Sequence, residues 1–397
     1  MKNQRNLGER GRVFLLSLGH CINDLHAVFL PTLMPRFVEM FGLSLTQAGF
    51  FGFVNGITHV VAQPIFGHLA DSTNRPWYAG FGPIVTALGT GLLPYSPNYA
   101  AMLLCVGIYS IGSAAFHPQG CGSVGAVVPP ERLAFSISLF NMGGMVGTTL
   151  SPYYAILVVS LFGLKGLPVI VIPGVFIGVA LLWFLPVLGD IPDVAKKEFR
   201  GRGLSNIFRV FRKLFALWSI SFLCNASTRS VIFFLPLLMA SRGGTLLQGG
   251  TALFVISLTG TAAAVAGARV ADQVGKRRFM GIMLFLGPIP LYAALHSQGA
   301  LALGLYTLGY SLLSSTVPVT AASAIERSPE SRSVASSLMI GVSWGFAGLI
   351  TFPLGTLADA FSIEIAMQSG IFLSWFALPI LLRHRLREVW ASCNTRN

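Results

Sequence analysis

Acidic side chains are scarce in this chain. Of 397 residues, 14 are Asp or Glu, 27 are Lys or Arg, and charged residues make up only 10% of the total. A soluble domain carries about 25%. With 53% hydrophobic residues and a mean hydropathy of +0.70, the composition excludes an ordinary soluble domain and indicates an integral membrane protein. Cysteine is sparse as well. Cys21, Cys105, Cys121, Cys224 and Cys393 are odd in number, scattered and without metal-ligand spacing, which argues against a disulfide framework and a zinc site. No glycine-rich phosphate loop ending in Lys-Ser/Thr occurs, so ATP-driven transport is not indicated. Paired catalytic acids and a Ser-His-Asp set are not visible either. The expectation is therefore a non-enzyme with no cofactor and no metal.

Long apolar runs are what the chain has instead. They fall near 13–37, 46–70, 77–95, 99–125, 134–162 and 168–188, and again near 214–240, 249–270, 279–297, 300–325, 334–360 and 365–383. About 20 apolar residues span a bilayer, and helices satisfy their backbone groups in lipid where open strands do not. The spacing predicts an all-α membrane protein with twelve transmembrane helices. The basic N-terminus ahead of the first run mimics a signal peptide, but the run exceeds a usual signal core and shows no small-residue cleavage site, so it stands as the first span. One long hydrophilic stretch, 189–213, divides the chain. It predicts an N-terminal six-helix bundle (1–188), a cytoplasmic linker ending in an interfacial amphipathic helix, and a C-terminal bundle with a short tail (214–397).

The net charge of +13 is not spread as a nucleic-acid-binding surface would be. Of the Lys and Arg residues, all but Arg36, Lys165, Arg242 and Arg229 fall in the two termini and in one set of alternate loops. That is the positive-inside pattern, and it places both termini in the cytoplasm. Low charge and short outer loops fit a bacterial inner membrane. The expected partners are a small-molecule substrate, protons and the lipid bilayer, with no nucleic acid, and the chain is expected to be a monomer.

The two halves repeat. A shift of 205 puts Phe29-Leu-Pro-Thr-Leu-Met34 on Phe234-Leu-Pro-Leu-Leu-Met239, and a shift of 201 puts Gln47, Gly49, Phe53 and Val54 on Gln248, Gly250, Phe254 and Val255. Internal repeats of this kind mark many transporter folds. At the first shift Asp24 falls on Arg229, so opposite charges sit at matching positions on the first helix of each half. An ionisable group at mid-membrane costs roughly 2.5–3.5 kcal/mol on insertion scales and faces a cavity or a partner.

A second repeated feature is the loop Gly67-His-Leu-Ala-Asp71-Ser-Thr-Asn74-Arg75 and its counterpart Ala268-Arg-Val-Ala-Asp272-Gln-Val-Gly275-Lys276-Arg277. Gly-x-x-x-Asp-x-x-Gly-Arg-Lys/Arg between the second and third helices of each half resembles the signature of the major facilitator superfamily. The first copy departs from it at Asn74 and keeps only Arg75 of the basic pair; the second departs at Ala268. The resemblance implies a conformational latch made by Gly67, Asp71, Arg75, Asp272, Gly275, Lys276 and Arg277, with His68 beside it. An ordinary turn carrying positive-inside charge is the alternative. Within the superfamily, Gly19-His20-x-x-Asn23-Asp24 and Phe116-His117-Pro118 resemble the fosmidomycin resistance group of drug-efflux permeases. Gly144-x-x-Gly147-x-x-x-Ser151-Pro152 partly resembles an antiporter glycine ladder, with plain helix packing an equal alternative. Gly341, Gly345 and Gly348 support packing.

The superfamily resemblance implies that helices 1, 4, 7 and 10 surround a central path. On helix 1, His20 and Asp24 are four apart and share a face, with Asn23 beside them. Tyr109, Ser113 and His117 form a stripe on helix 4, Asn225 and Arg229 lie four apart on helix 7, and Tyr310, Ser314 and Pro318 repeat the stripe on helix 10. Asp24 is either a proton-coupling carboxylate or a structural partner of Arg229. Arg229 either receives an anionic or carbonyl-bearing substrate through its planar fork or neutralises Asp24. His117 either relays protons or caps a backbone carbonyl beside Pro118. His26 reads as a packing residue if it lies off that face. The expected function is a secondary active transporter working by alternating access, in proton-coupled export of a small organic molecule or drug. The runner-up is uptake or exchange of an organic anion through Arg229. A non-transporting membrane receptor or assembly factor on the same fold is the reading from a different class.

Overall fold

The computed structural model describes residues 7–73, 75–185 and 204–383, and among them every regular element is helical. The first half comprises α1 (Glu9–Ala27), α2 (Phe29–Phe41), α3 (Leu45–Ser72), α4 (Trp77–Leu92), α5 (Tyr99–Val127), α6 (Pro130–Phe162) and α7 (Val171–Phe184). After the linker come α8 (Leu204–Ser241), α9 (Leu246–Val274), α10 (Lys276–Leu286), α11 (Pro288–Leu295), α12 (Gly299–Ser314) and α13 (Thr316–Arg327). The chain closes with α14 (Arg332–Ser337), α15 (Ser343–Leu349), α16 (Thr351–Ala360) and α17 (Ile363–Ile371). Several of these are pieces of one span: α1 with α2, α10 with α11, α12 with α13, and α14 through α16. The observed spans begin and end close to the apolar runs in the sequence.

Among the described residues, ten segments are long and apolar enough to cross a membrane. The two remaining expected positions are also helical. α3 has 28 residues but carries Gln47, Asn55, His59, Gln63 and His68, and α4 has 16 residues extended by a 3-10 turn to Tyr95. Large apolar side chains project outward from many helices, including Phe176 at 77% exposure and Phe135 at 75%. So many exposed aromatics would drive aggregation in water and suit a lipid-facing surface.

One expectation about the linker is corrected. Residues 189–203 lie outside the described residues, but 204–213 are not a separate interfacial helix. They are the opening turns of α8, which runs unbroken for 38 residues. Val210 and Leu214 are buried with Leu217 and Trp218 against Ala321, Ala324, Leu338 and Met339. Their spacing of three and four residues continues the apolar stripe of the span backward. By contrast the first span is interrupted. Val28 leaves helical geometry (φ −112°, ψ 18°) three residues before Pro31, whose ring cannot sit in an unbroken helix without freeing a carbonyl.

The described residues fall into two compact units that interleave along the chain. The first takes Met1–Leu43, Ile57–Gly201 and Met239–Phe254; the second takes Ser44–Gly56, Arg202–Leu238 and Val255–Asn397. In the first, Val13, Leu16, Phe116, Phe140, Ile177 and Leu181 form a core around α1. In the second, the start of α3 lies directly on α15 and α16. Thr351 donates to the Gly49 carbonyl (2.7 Å), and a Cβ on Gly56 would lie 2.4 Å from the Gly345 carbonyl. The Asp359 carboxylate accepts the Leu45 and Thr46 backbone N–H groups (2.9 and 2.8 Å), satisfying donors that a helix start leaves open. Gly345 and Gly348 thus serve close packing.

Candidate functional site

In the first unit α1 is held against α6 by glycine. A Cβ on Gly143 would lie 2.1 Å from the Ser17 carbonyl oxygen and one on Gly147 would lie 2.2 Å from that of Cys21. Between them Gly144 leaves room for an imidazole, because a Cβ there would meet His20 Nε2 at 2.5 Å. The glycine ladder is therefore a packing device that also seats His20. The ring stacks on Phe140 (centroids 4.2 Å apart), and its Nδ1 donates to the Phe140 carbonyl (2.9 Å).

His20, Asn23, Asp24 and His117 come together. One Asp24 carboxylate oxygen, Oδ2, faces His20 Nε2 at 3.3 Å, and the other, Oδ1, faces His117 Nε2 at 3.2 Å. The i,i+4 spacing on α1 supplies the first contact and the approach of α5 supplies the second. His117 Nδ1 donates to the Ser113 carbonyl one turn earlier (2.7 Å), so His117 both caps a carbonyl beside Pro118 and faces the carboxylate. Asn23 is fully buried and ties three helices together. Its amide donates to Asp24 Oδ1 (3.0 Å) and Ser113 Oγ (3.3 Å), and its carbonyl accepts from Thr86 Oγ1 on α4 (3.0 Å). The Asp24 side chain is 15% exposed and that of His117 29%, so the cluster is partly accessible, with His117 the more open member.

The donor atoms of His20, Asp24 and His117 lie within 4.8 Å of one another, close enough to share one cation. Beside His117 stands the His59 ring of α3, 6.3 Å away between centroids, with its Nδ1 3.2 Å from Gln63 Nε2. His59 and Thr86 are absent from the sequence-based candidates. The one signal for His59 was a titratable residue four before Gln63 in an apolar run. His26 has left the polar face. It is fully buried, its ring lies among Phe29 and Tyr154, and neither ring nitrogen has a hydrogen-bond partner. Tyr109 is buried in α5, its backbone against Gly89.

The second unit gathers Arg229, Asn225 and Tyr310. Arg229 Nη2 donates to Asn55 Oδ1 (3.0 Å), and its guanidinium lies over the Trp344 ring, 4.1 Å from the centroid. Trp344 follows a π-helical stretch, Leu338–Val342, of the kind found often at functional sites. Ser221 donates to the Met339 carbonyl there (2.8 Å), and Asn225 donates to Ser343 Oγ (2.9 Å). Tyr310 packs on Gly260, with Ser314 beside it. Asp24 and Arg229 thus each have partners within their own unit.

The loop motifs differ in what the structure shows. In the second copy Gly275 has φ +90°, a conformation that favours glycine, and caps α10. Lys276 bonds Glu326 and lies 4.0 Å from Asp272, while Arg277 donates to the Leu381 carbonyl. In the first copy Asn74 and the side chain of Asp71 lie outside the described residues. Gly67 lies in α3 near Pro118, and His68 is exposed on that helix. Arg75 lies over Trp77 (5.6 Å), and Gln119 holds its turn by donating to the Arg75 carbonyl (3.0 Å) and accepting from Ala79 N–H (2.9 Å).

The chain has relatives among known proteins. The chain is 26% identical over 390 residues to the MFS-type transporter YfnC of Bacillus subtilis (strain 168), covering 96% of this chain and 95% of that one. It is 26% identical over 374 residues to the fosmidomycin resistance protein of Escherichia coli (strain K12), covering 90% and 89%. Its fold matches a bacterial homolog of the human lysosomal transporter Spinster, in an inward-facing and unoccupied conformation, with a TM-score of 0.74 at 16% identity over 96% of this chain and 95% of that one. The profile of the Major Facilitator Superfamily matches residues 16–352, and the chain belongs to that family of multi-pass membrane transporters.

Proposed function

We propose that this secondary transporter exports a small organic molecule in exchange for protons, with the Asp24 carboxylate as the proton site. The observation that carries this is the placement of Asp24 between His20 and His117, buried yet accessible through His117. An imidazole gains and loses a proton near neutral pH and can pass it to a carboxylate it touches, whereas a guanidinium stays charged. His117 is the relay and Asn23 the positioning group. Arg229, Asn225 and Tyr310 belong to substrate handling, and Arg229 is steered by Asn55 and Trp344. Export of a drug-like compound is favoured by similarity to the fosmidomycin resistance protein. The working halves are 1–188 and 204–397, the second opening with α8, and they move by alternating access. The Asp272–Lys276–Glu326 contacts form a latch, and the chain works as a monomer in a bacterial inner membrane with both termini cytoplasmic.

Proteoliposomes carrying a pH gradient test this. Fosmidomycin and a panel of neutral, cationic and anionic compounds are offered, and proton movement is followed. Compound-dependent proton flux in the wild type supports exchange. Transport that ignores the gradient overturns it. Uptake of anions alone that is lost in Arg229→Gln would favour the second reading, anion exchange.

A further inference from the structure

We infer that His20, Asp24 and His117 together hold two protons in this conformation, with His20 as a second proton carrier, and that the transport cycle exchanges the two as a pair. The transport part rests on the proton-coupled reading above.

The proton count follows from donors and acceptors alone. A backbone carbonyl oxygen only accepts. His20 Nδ1 faces the Phe140 carbonyl and His117 Nδ1 faces the Ser113 carbonyl, so both Nδ1 atoms carry hydrogen. In a neutral ring the other nitrogen, Nε2, then presents a lone pair. Each Nε2 points at a different oxygen of Asp24. A lone pair set against a carboxylate oxygen repels, and a buried site has little water to screen it. Each contact therefore needs one hydrogen, whichever heavy atom carries it. The two contacts hold two protons, and the cluster carries a net charge of +1. Releasing both leaves two neutral imidazoles and a carboxylate, a net charge of −1. The Asn23 amide, donating to Oδ1, adds no exchangeable proton.

The groups facing the cluster leave that count intact. From α1 they are Asn23 and Cys21, from α4 Thr86, and from α5 Ser113. From α6 come the Phe140 carbonyl and Gly144. From α3 comes His59, whose Nδ1 is engaged with Gln63. None of them places a fixed charge between the carboxylate and the two rings.

The count is measurable without a substrate. The full chain is labelled with 15N-histidine and 13Cγ-aspartate, placed in lipid nanodiscs and treated with EDTA. NMR then counts protons over the three groups at neutral pH, with His20→Asn and His117→Asn used to assign the two rings. Two protons in the wild type are expected. Asp24→Asn should hold one, because its own amide N–H fills one contact. A bare Nε2 in the wild type beside an ionised Asp24 overturns the inference, as does a spectrum that EDTA converts from a metal-bound form. In proteoliposomes at zero membrane potential, two coupled protons support about a hundredfold fosmidomycin gradient per pH unit, falling to about tenfold in His20→Asn. A wild-type gradient of about tenfold contradicts paired exchange. If fosmidomycin is not carried, the gradient is read with a compound of the panel that is; if none is carried the export reading fails, and the NMR count still decides the proton content.

Discussion

Asp24 and Arg229 occupy matching places in the two sequence repeats, yet their surroundings differ in kind. Asp24 is held by the Asn23 amide and by two imidazoles that can gain or lose a proton, and each imidazole is anchored by its far nitrogen to a backbone carbonyl. Arg229 is gripped by an amide and an indole, neither of which titrates near neutral pH. Each has an asparagine close by on its helix, and each asparagine is bonded to hydroxyls: Asn23 to Ser113 and Thr86, Asn225 to Ser343 and Ser221. One repeat has therefore kept a variable charge and the other a permanent one. The first suits an exchangeable ion and the second suits orienting a ligand.

The sharpest way to break this contrast is to remove titration from one side only. His117→Asn keeps a polar group of similar reach but cannot carry a proton, and proton-driven transport should fall by about a hundredfold, the scale on which positioned proton-transfer groups act. Arg229→Lys keeps the permanent charge and loses the fork and the stack, so proton coupling should survive while apparent substrate affinity weakens. Flux measured against both pH gradient and substrate concentration separates the two. If Arg229→Lys abolished coupling and His117→Asn did not, the roles would have to be exchanged.

Packing gives the next largest effect. Gly144→Ala forces a methyl group against the His20 ring, and overpacking of that kind costs about 1–3 kcal/mol. The melting temperature in detergent should drop and proton coupling should weaken with it. Gly107→Ala, where a Cβ meets nothing within 4 Å, should leave both unchanged. On the Arg229 side, Trp344→Ala removes the ring beneath the guanidinium and should cost about 0.5–2 kcal/mol, read as a smaller melting shift with coupling intact. The smallest change is expected at Asp359→Asn. Losing the charge on the first turn of α3 should cost about 1 kcal/mol of thermal stability, as the loss of a helix cap does.

Much of this was legible in the sequence, though unevenly. Span positions followed from apolar run length, since lipid forces helices of a set size. The His20–Asp24 contact followed from helical spacing. His117 entered through a resemblance and a polar stripe, and its contact with Asp24 needed the packing of α5 on α1. The Phe140 carbonyl that fixes His20 was beyond reach, because a backbone acceptor leaves no residue-type signal and lies 120 positions away. The same holds for Asn55 beneath Arg229, 174 positions distant, and for Asp359 on the start of α3. A helix at the end of the linker was expected, but its continuity with the span was hidden by basic residues, which masked an apolar stripe running on from the span.

The most direct test is the pH-gradient assay in proteoliposomes with wild type and Asp24→Asn side by side, each confirmed as folded by its melting curve. The account predicts compound-dependent proton movement in the wild type and, with the paired exchange broken, at most a small remainder in Asp24→Asn. A mutant that still exchanges compound for protons at the wild-type rate would contradict it, and Asp24 would then be a structural partner of His20 and His117.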